Sequence, residues 1–168
     1  MVFDLPLHPI LIHFPIALLV AGLGIDVAGW LLGSDWLRRS ALLLLILGAL
    51  GTAAAVWSGS SQEEIIVKTP DIERTLETHS DSGEATMWFF LGVAAVRAGV
   101  VRRRKLTPGV HALFILLWLV GAGLLVRTAY YGGEMVYEHG AGVAAPAASG
   151  APGSAPAPVR ATAPAHGD

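Results

Sequence analysis

Apolar residues run along this chain in four long blocks, Ile10 to Leu32, Ala41 to Gly59, Ala85 to Val101 and Val110 to Tyr131, with polar stretches between them. A hydrocarbon core of ~30 Å needs roughly 20 helical residues, and all four blocks meet or approach that length. The predicted architecture is therefore all-α, a polytopic membrane four-helix bundle with spans at 10–32, 41–59, 85–101 and 110–131 within a domain covering residues 1–143. The first block has no basic segment before it, is longer than the apolar part of a signal peptide and lacks a small-residue cleavage site, so it reads as a retained helix. The third block is the shortest and carries Arg97 near one end, where a long stem can snorkel its charge to the interface. Small residues recur at helix-packing spacing, as in Ala17 and Ala21, Gly24 and Ala28, Gly48 and Thr52, and Gly51 and Ala55. Such pairs let helices approach where lipid gives no hydrophobic drive between them.

From Ala141 onward the chain is nearly all Ala, Pro, Gly and Ser. That composition buries too little apolar area to offset its ordering entropy, so residues 144–168 are expected to form a disordered tail.

Arg38 and Arg39 follow the first block, and Arg102, Arg103, Arg104 and Lys105 follow the third. The positive-inside rule makes both short loops cytoplasmic and puts the two termini outside. The longer loop from Ser60 to Ser82, with six acidic and two basic residues, then lies outside as well. In a bacterium this describes a multi-pass protein of the inner, or cell, membrane. Trp30, Trp36, Trp57, Tyr130 and Tyr131 read as interfacial aromatics, and Met87 as packing.

Hydrophobic residues make up 54% of the 168 positions and the formal net charge is −2, which leaves no electrostatic footprint for a nucleic acid. The lipid bilayer is the primary partner. There is no cysteine, which excludes disulfides, thiolate metal sites and covalent c-type haem. No nucleophile with its base, phosphate-binding loop or HExxH pattern is present, so the chain does not read as an autonomous enzyme.

Histidine placement carries the remaining chemistry. With this topology His8 and His13 sit at the outer end of the first span, His79 at the outer end of the third and His139 just after the fourth, whereas His111 lies on the cytoplasmic side and His166 in the tail. Pro9 suits a first helical turn, and Pro15 should kink the helix beside His13 and free the Leu11 carbonyl. Arg127, Asp81 and Glu84 reach a similar depth, so a polar pocket under the outer surface is expected. His13 stands out within it, because ionisable groups at membrane depth are costly and usually functional.

The string Leu7-His8-Pro9-Ile10-Leu11-Ile12-His13-Phe14-Pro15-Ile16-Ala17-Leu18, with the late Gly132-Gly133-Glu134-Met135-Val136-Tyr137-Glu138-His139-Gly140, resembles a bacterial membrane family catalogued as domain of unknown function 2231. The resemblance spans roughly residues 5 to 143. It implies about four membrane helices, and relatives joined to Rieske iron–sulfur or cytochrome c modules imply membrane electron transfer. This chain carries neither module.

Three readings stay open. In the first, His13 and His79 bind one haem b, Arg127 balances its propionates, and electrons pass to a periplasmic redox protein or a quinone. In the second, copper or zinc is held by His8, His13, His79 and His139 with Asp81 or Glu84, although a spacing of five between His8 and His13 requires a bent helix start. In the third, the protein is an accessory or structural membrane subunit without a cofactor.

Overall fold

The computed structural model describes residues 7–63, 69–103 and 106–141, and the expected tail at 144–168 lies outside the described residues. Its elements are α1 (Leu7–Leu11), α2 (His13–Leu31), α3 (Asp35–Glu63), α4 (Pro70–Arg102) and α5 (Pro108–Tyr137). Among the described residues, four helices are long and apolar enough to cross a membrane, with α1 and α2 counting as one span from His8 to Leu31. That span breaks at Ile12. Pro15 has no N–H to offer the Leu11 carbonyl, and the His13 ring donates Nδ1–H to the Pro9 carbonyl at 2.6 Å.

The third span differs from the expected 85–101. α4 has 33 residues, about 50 Å of helix, and starts within the stretch read as a polar loop. Thr69 caps it by accepting from the Ile72 N–H, and Pro70 takes the first position, where a missing donor costs nothing. The early half is amphipathic, with Ile72 and Leu76 buried and Asp71, Glu73 and Glu77 exposed. Hydropathy marks only the apolar half of such a helix.

α2 packs on α3 and α5, and α4 packs on the same two helices, so α2 and α4 occupy opposite corners of a square bundle and run in the same direction. One end of the bundle carries His8, His79 and His139, and the other carries Arg38, Arg39, Arg102 and Arg103.

The bundle is two hairpins whose buried and close-packed positions follow one residue register. Position n of α1 and α2 corresponds to n + 71 in α4, and position n of α3 to n + 73 in α5. In the leading helices the buried residues Pro15, Leu19, Gly22 and Asp26 match the buried Thr86, Phe90, Val93 and Arg97. In the trailing helices Ala41 and Leu45 match Phe114 and Trp118, all buried. Ser34 and Thr107, equivalent again, each place a hydroxyl at the start of a trailing helix, accepting from Leu37 N–H and Val110 N–H. Close approach repeats too: a Cβ on Gly48 would lie 2.7 Å from the Leu19 side chain, and one on Gly121 would lie 2.6 Å from the equivalent Phe90 ring.

A contact between α2 and α5 departs from the repeat. A Cβ on Gly22 would sit 2.8 Å from the indole of Trp118, which is fully buried, whereas the equivalent positions hold Val93 and Leu45. Gly22→Val is expected to cost about 1–3 kcal/mol through overpacking against this rigid ring. Thermal unfolding in detergent measures it, and an unchanged midpoint would show that α2 and α5 do not meet here as described.

Candidate functional site

Two polar sites span the same diagonal, from the α1–α2 corner to α4, at opposite ends of the bundle. The first joins His8 and His79, which are equivalent positions of the two hairpins. Their ring centroids lie 6.3 Å apart with planes at 88°. His8 donates Nδ1–H to the Ala55 carbonyl at 2.9 Å, beside the Ser58 hydroxyl oxygen at 3.1 Å. His79 donates Nδ1–H to the Thr128 carbonyl at 2.9 Å. Each imidazole is therefore oriented through its Nδ1–H by the trailing helix of its own hairpin. Each also rests on a glycine: a Cβ would lie 3.1 Å from the His8 ring at Gly59 and 3.0 Å from the His79 ring at Gly132, again equivalent positions. Gly59→Val or Gly132→Val is thus expected to push the nearby imidazole off its carbonyl. Histidine side-chain NMR measures this as loss of the Nδ1–H hydrogen-bond signal, and an unshifted signal would contradict the packing.

The other expected members of an outer pocket go elsewhere. His13 is exposed, directed away from the bundle core by its bond to the Pro9 carbonyl, so His8 takes the position opposite His79 that the sequence suggested for His13. Arg127 is exposed and lies over the Tyr131 ring at 5.7 Å, turned from the bundle interior. Asp81 and Glu84 are exposed. His139 meets the Thr75 hydroxyl at 3.3 Å, with a Glu134 carboxylate oxygen 4.0 Å away. Among the described residues no three His, Asp or Glu side chains converge as a metal-ligand group. The four-histidine set of His8, His13, His79 and His139 is therefore not assembled in this geometry.

The second site lies eighteen residues further along both leading helices, about 27 Å from the first. Asp26 of α2 and Arg97 of α4, equivalent positions with opposite charges, form a two-pronged pair at 2.6 and 2.5 Å. His111 of α5 donates Nε2–H to the same carboxylate at 2.9 Å. All three are at most 1% exposed. Arg97 does not snorkel: its guanidinium sits 5.7 Å from the Phe114 ring centre and 5.8 Å from that of Trp118. The planar fork of an arginine suits bidentate carboxylate binding while its faces lie against aromatic rings. Among the described residues, Arg97 Nε and Trp118 Nε1 are buried donors without a hydrogen-bond partner.

Residues 4–145 match the family described as "Predicted membrane protein (DUF2231)". The chain belongs to this family. Membership makes it a membrane protein and agrees with the four apolar helices. No curated protein and no solved structure matches it.

Sequence reasoning overlooked Asp26 and set His111 aside. A signal was present: a lone carboxylate in the first apolar block, exactly one hairpin repeat before the lone arginine of the third. Matching Asp26 to Arg97 requires seeing the two blocks as copies, and their sequences are too simple in composition for that to stand out.

Proposed function

We propose that this protein holds one redox-active metal centre between His8 and His79 near one membrane face, with haem b as the group, and that it passes electrons at that face. The observation that carries the reading is the 6.3 Å separation of two carbonyl-anchored imidazoles from opposite corners of the bundle. Imidazole–metal bonds run about 2 Å and a ring centre lies roughly 1 Å behind its nitrogen, so trans ligands have centroids about 6 Å apart, while a tetrahedral pair comes to about 5 Å. At 6.3 Å the two imidazoles would be able to hold one metal between them.

Zinc fits poorly, since its tetrahedral protein sites draw on three or four ligands and two are supplied here. A haem brings its own four nitrogens, and bundles seat such cofactors between facing helices. The residues present suit it: His8 and His79 would hold it, each ring seated against a glycine, Gly59 and Gly132. The group would supply a one-electron couple. His8 and His79 would fix its position, and the Ala55 and Thr128 carbonyls would raise ligand basicity through Nδ1–H. The positive-inside rule places this end outside the cytoplasm, which makes a periplasmic redox protein or a quinone the exchange partner.

The same separation equally suits a linear two-coordinate copper(I) ion, which is the second reading. Iron and copper contents per chain, measured on detergent-purified protein expressed with ample haem, separate the two. One iron per chain is expected. Copper alone would move the assignment to the second reading, and neither metal would leave a cofactor-free accessory subunit.

A further inference from the structure

Exposed aromatics set the depth of the bundle in the bilayer. On α3, Trp36 and Trp57 stand on the same exposed stripe as Leu43, Leu47 and Leu50. They are 21 residues apart, about 32 Å of helix, which matches a hydrocarbon core of ~30 Å bounded by aromatic belts. Tyr130 is the α5 equivalent of Trp57 and is also exposed, so it marks the same plane. Gly133 to Tyr137 then stand about 5 to 10 Å beyond it, within the headgroup layer.

In that layer the end of α5 carries a groove of about 300 Å³, lined by Tyr130, Gly133, Glu134, Tyr137 and Glu138. Among the described residues, the ion-pair contact these carboxylates make is a long one, 4.0 Å from Glu134 to His139 Nε2. Arg127 lies on the same face as Glu134, because seven residues turn a helix by about 700°. It is exposed, its guanidinium sits over the Tyr131 ring at 5.7 Å, and among the described residues it has no carboxylate partner. Starting three residues inside the Tyr130 plane, its long stem carries the charge outward to the phosphate level.

We propose that this strip of α5 binds a phospholipid headgroup bearing a primary ammonium, as in phosphatidylethanolamine, with Arg127 on the phosphate and Glu134 and Glu138 on the ammonium. The order of charges along the helix is that of the lipid, whose phosphate joins the glycerol and whose ammonium lies beyond it. A primary ammonium offers three N–H donors for the two carboxylates, and the faces of Tyr130 and Tyr137 attract the same cation. A trimethylated ammonium keeps the charge but gives no N–H bonds. A glycerol headgroup brings no cation to the carboxylates at all. The site thereby employs Arg127 and the tyrosines and glutamates of the late family string, which the His8 and His79 site leaves unused.

Native mass spectrometry of the full-length protein in detergent tests this, by titration with phosphatidylethanolamine, phosphatidylcholine and phosphatidylglycerol of identical acyl chains. Wild type is expected to hold the first about fivefold better than either of the others, the size of one exposed charge pair or cation–π contact. Glu134→Gln with Glu138→Gln should bring the three lipids level, while Arg127→Gln should weaken all three together. Glu73→Gln with Glu77→Gln, exposed acidic positions on α4, should keep the wild-type preference. Helix content checks that each variant is folded. Equal binding of the three lipids by wild type, or a preference that persists in the E134Q/E138Q variant, would overturn the proposal. The readout needs no cofactor, so it stands or falls apart from the reading of His8 and His79.

Discussion

Asp26→Ala is expected to destabilise the bundle by about 3–5 kcal/mol, the usual consequence of stranding one partner of a buried ion pair. Arg97 is 1% exposed, and the only carboxylate it bonds among the described residues is that of Asp26. Losing it leaves a guanidinium among Phe114 and Trp118 with no compensating charge, and it also removes the acceptor of His111. The exposed pair of Arg38 with Asp35 gives the contrast: both side chains contact solvent, 28% and 81%, so Asp35→Ala should change stability by no more than about 1 kcal/mol. Replacing all three buried groups, as Asp26→Leu, Arg97→Leu and His111→Leu together, should restore much of the loss, because apolar packing often equals a buried ion pair in stability. Unfolding in a denaturing detergent, followed by helix content, reads all of these. An Asp26→Ala bundle as stable as wild type would mean that Arg97 escapes to an interface.

The second large effect concerns the histidines, and it is asymmetric. His8→Ala or His79→Ala should each abolish stable haem binding, whereas His13→Ala should leave it within about twofold of wild type, well under the tenfold that 1.4 kcal/mol would make. With one imidazole removed, a single protein ligand would remain to hold the group. His13 is outside that geometry because its ring bonds the Pro9 carbonyl on the exposed side of the kink. Titrating haem into apoprotein in detergent measures the three variants side by side. Equal loss in His13→Ala and His8→Ala would return the outer pocket expected from the sequence.

The sequence shows the spans, the family resemblance and the gathering of histidines at one end, because hydropathy and charge asymmetry report on lipid and are local. It does not show helix rotation, and rotation decides the site. His8 and His13 differ by five residues, about 140° around a helix, so at most one can face the axis, and the break at Ile12 sets which. The greater depth of His13 made it the natural choice, yet depth along a helix says nothing about direction. Arg97 was misread for a related reason: an arginine near a span end usually snorkels, and only the partner on a helix seventy-one residues earlier reveals otherwise. The early half of α4 was hidden because its charged face satisfies water while Ile72 and Leu76 pack inward.

The account centres on His8 and His79 as one proposed ligand pair, and the most direct measurement is a reduced-minus-oxidised absorption spectrum of the purified protein beside its His8→Ala and His13→Ala variants. A six-coordinate b-type spectrum in wild type and His13→Ala, lost in His8→Ala, is the predicted result. A b-type spectrum that survives His8→Ala, or no haem spectrum in any of the three, would contradict it.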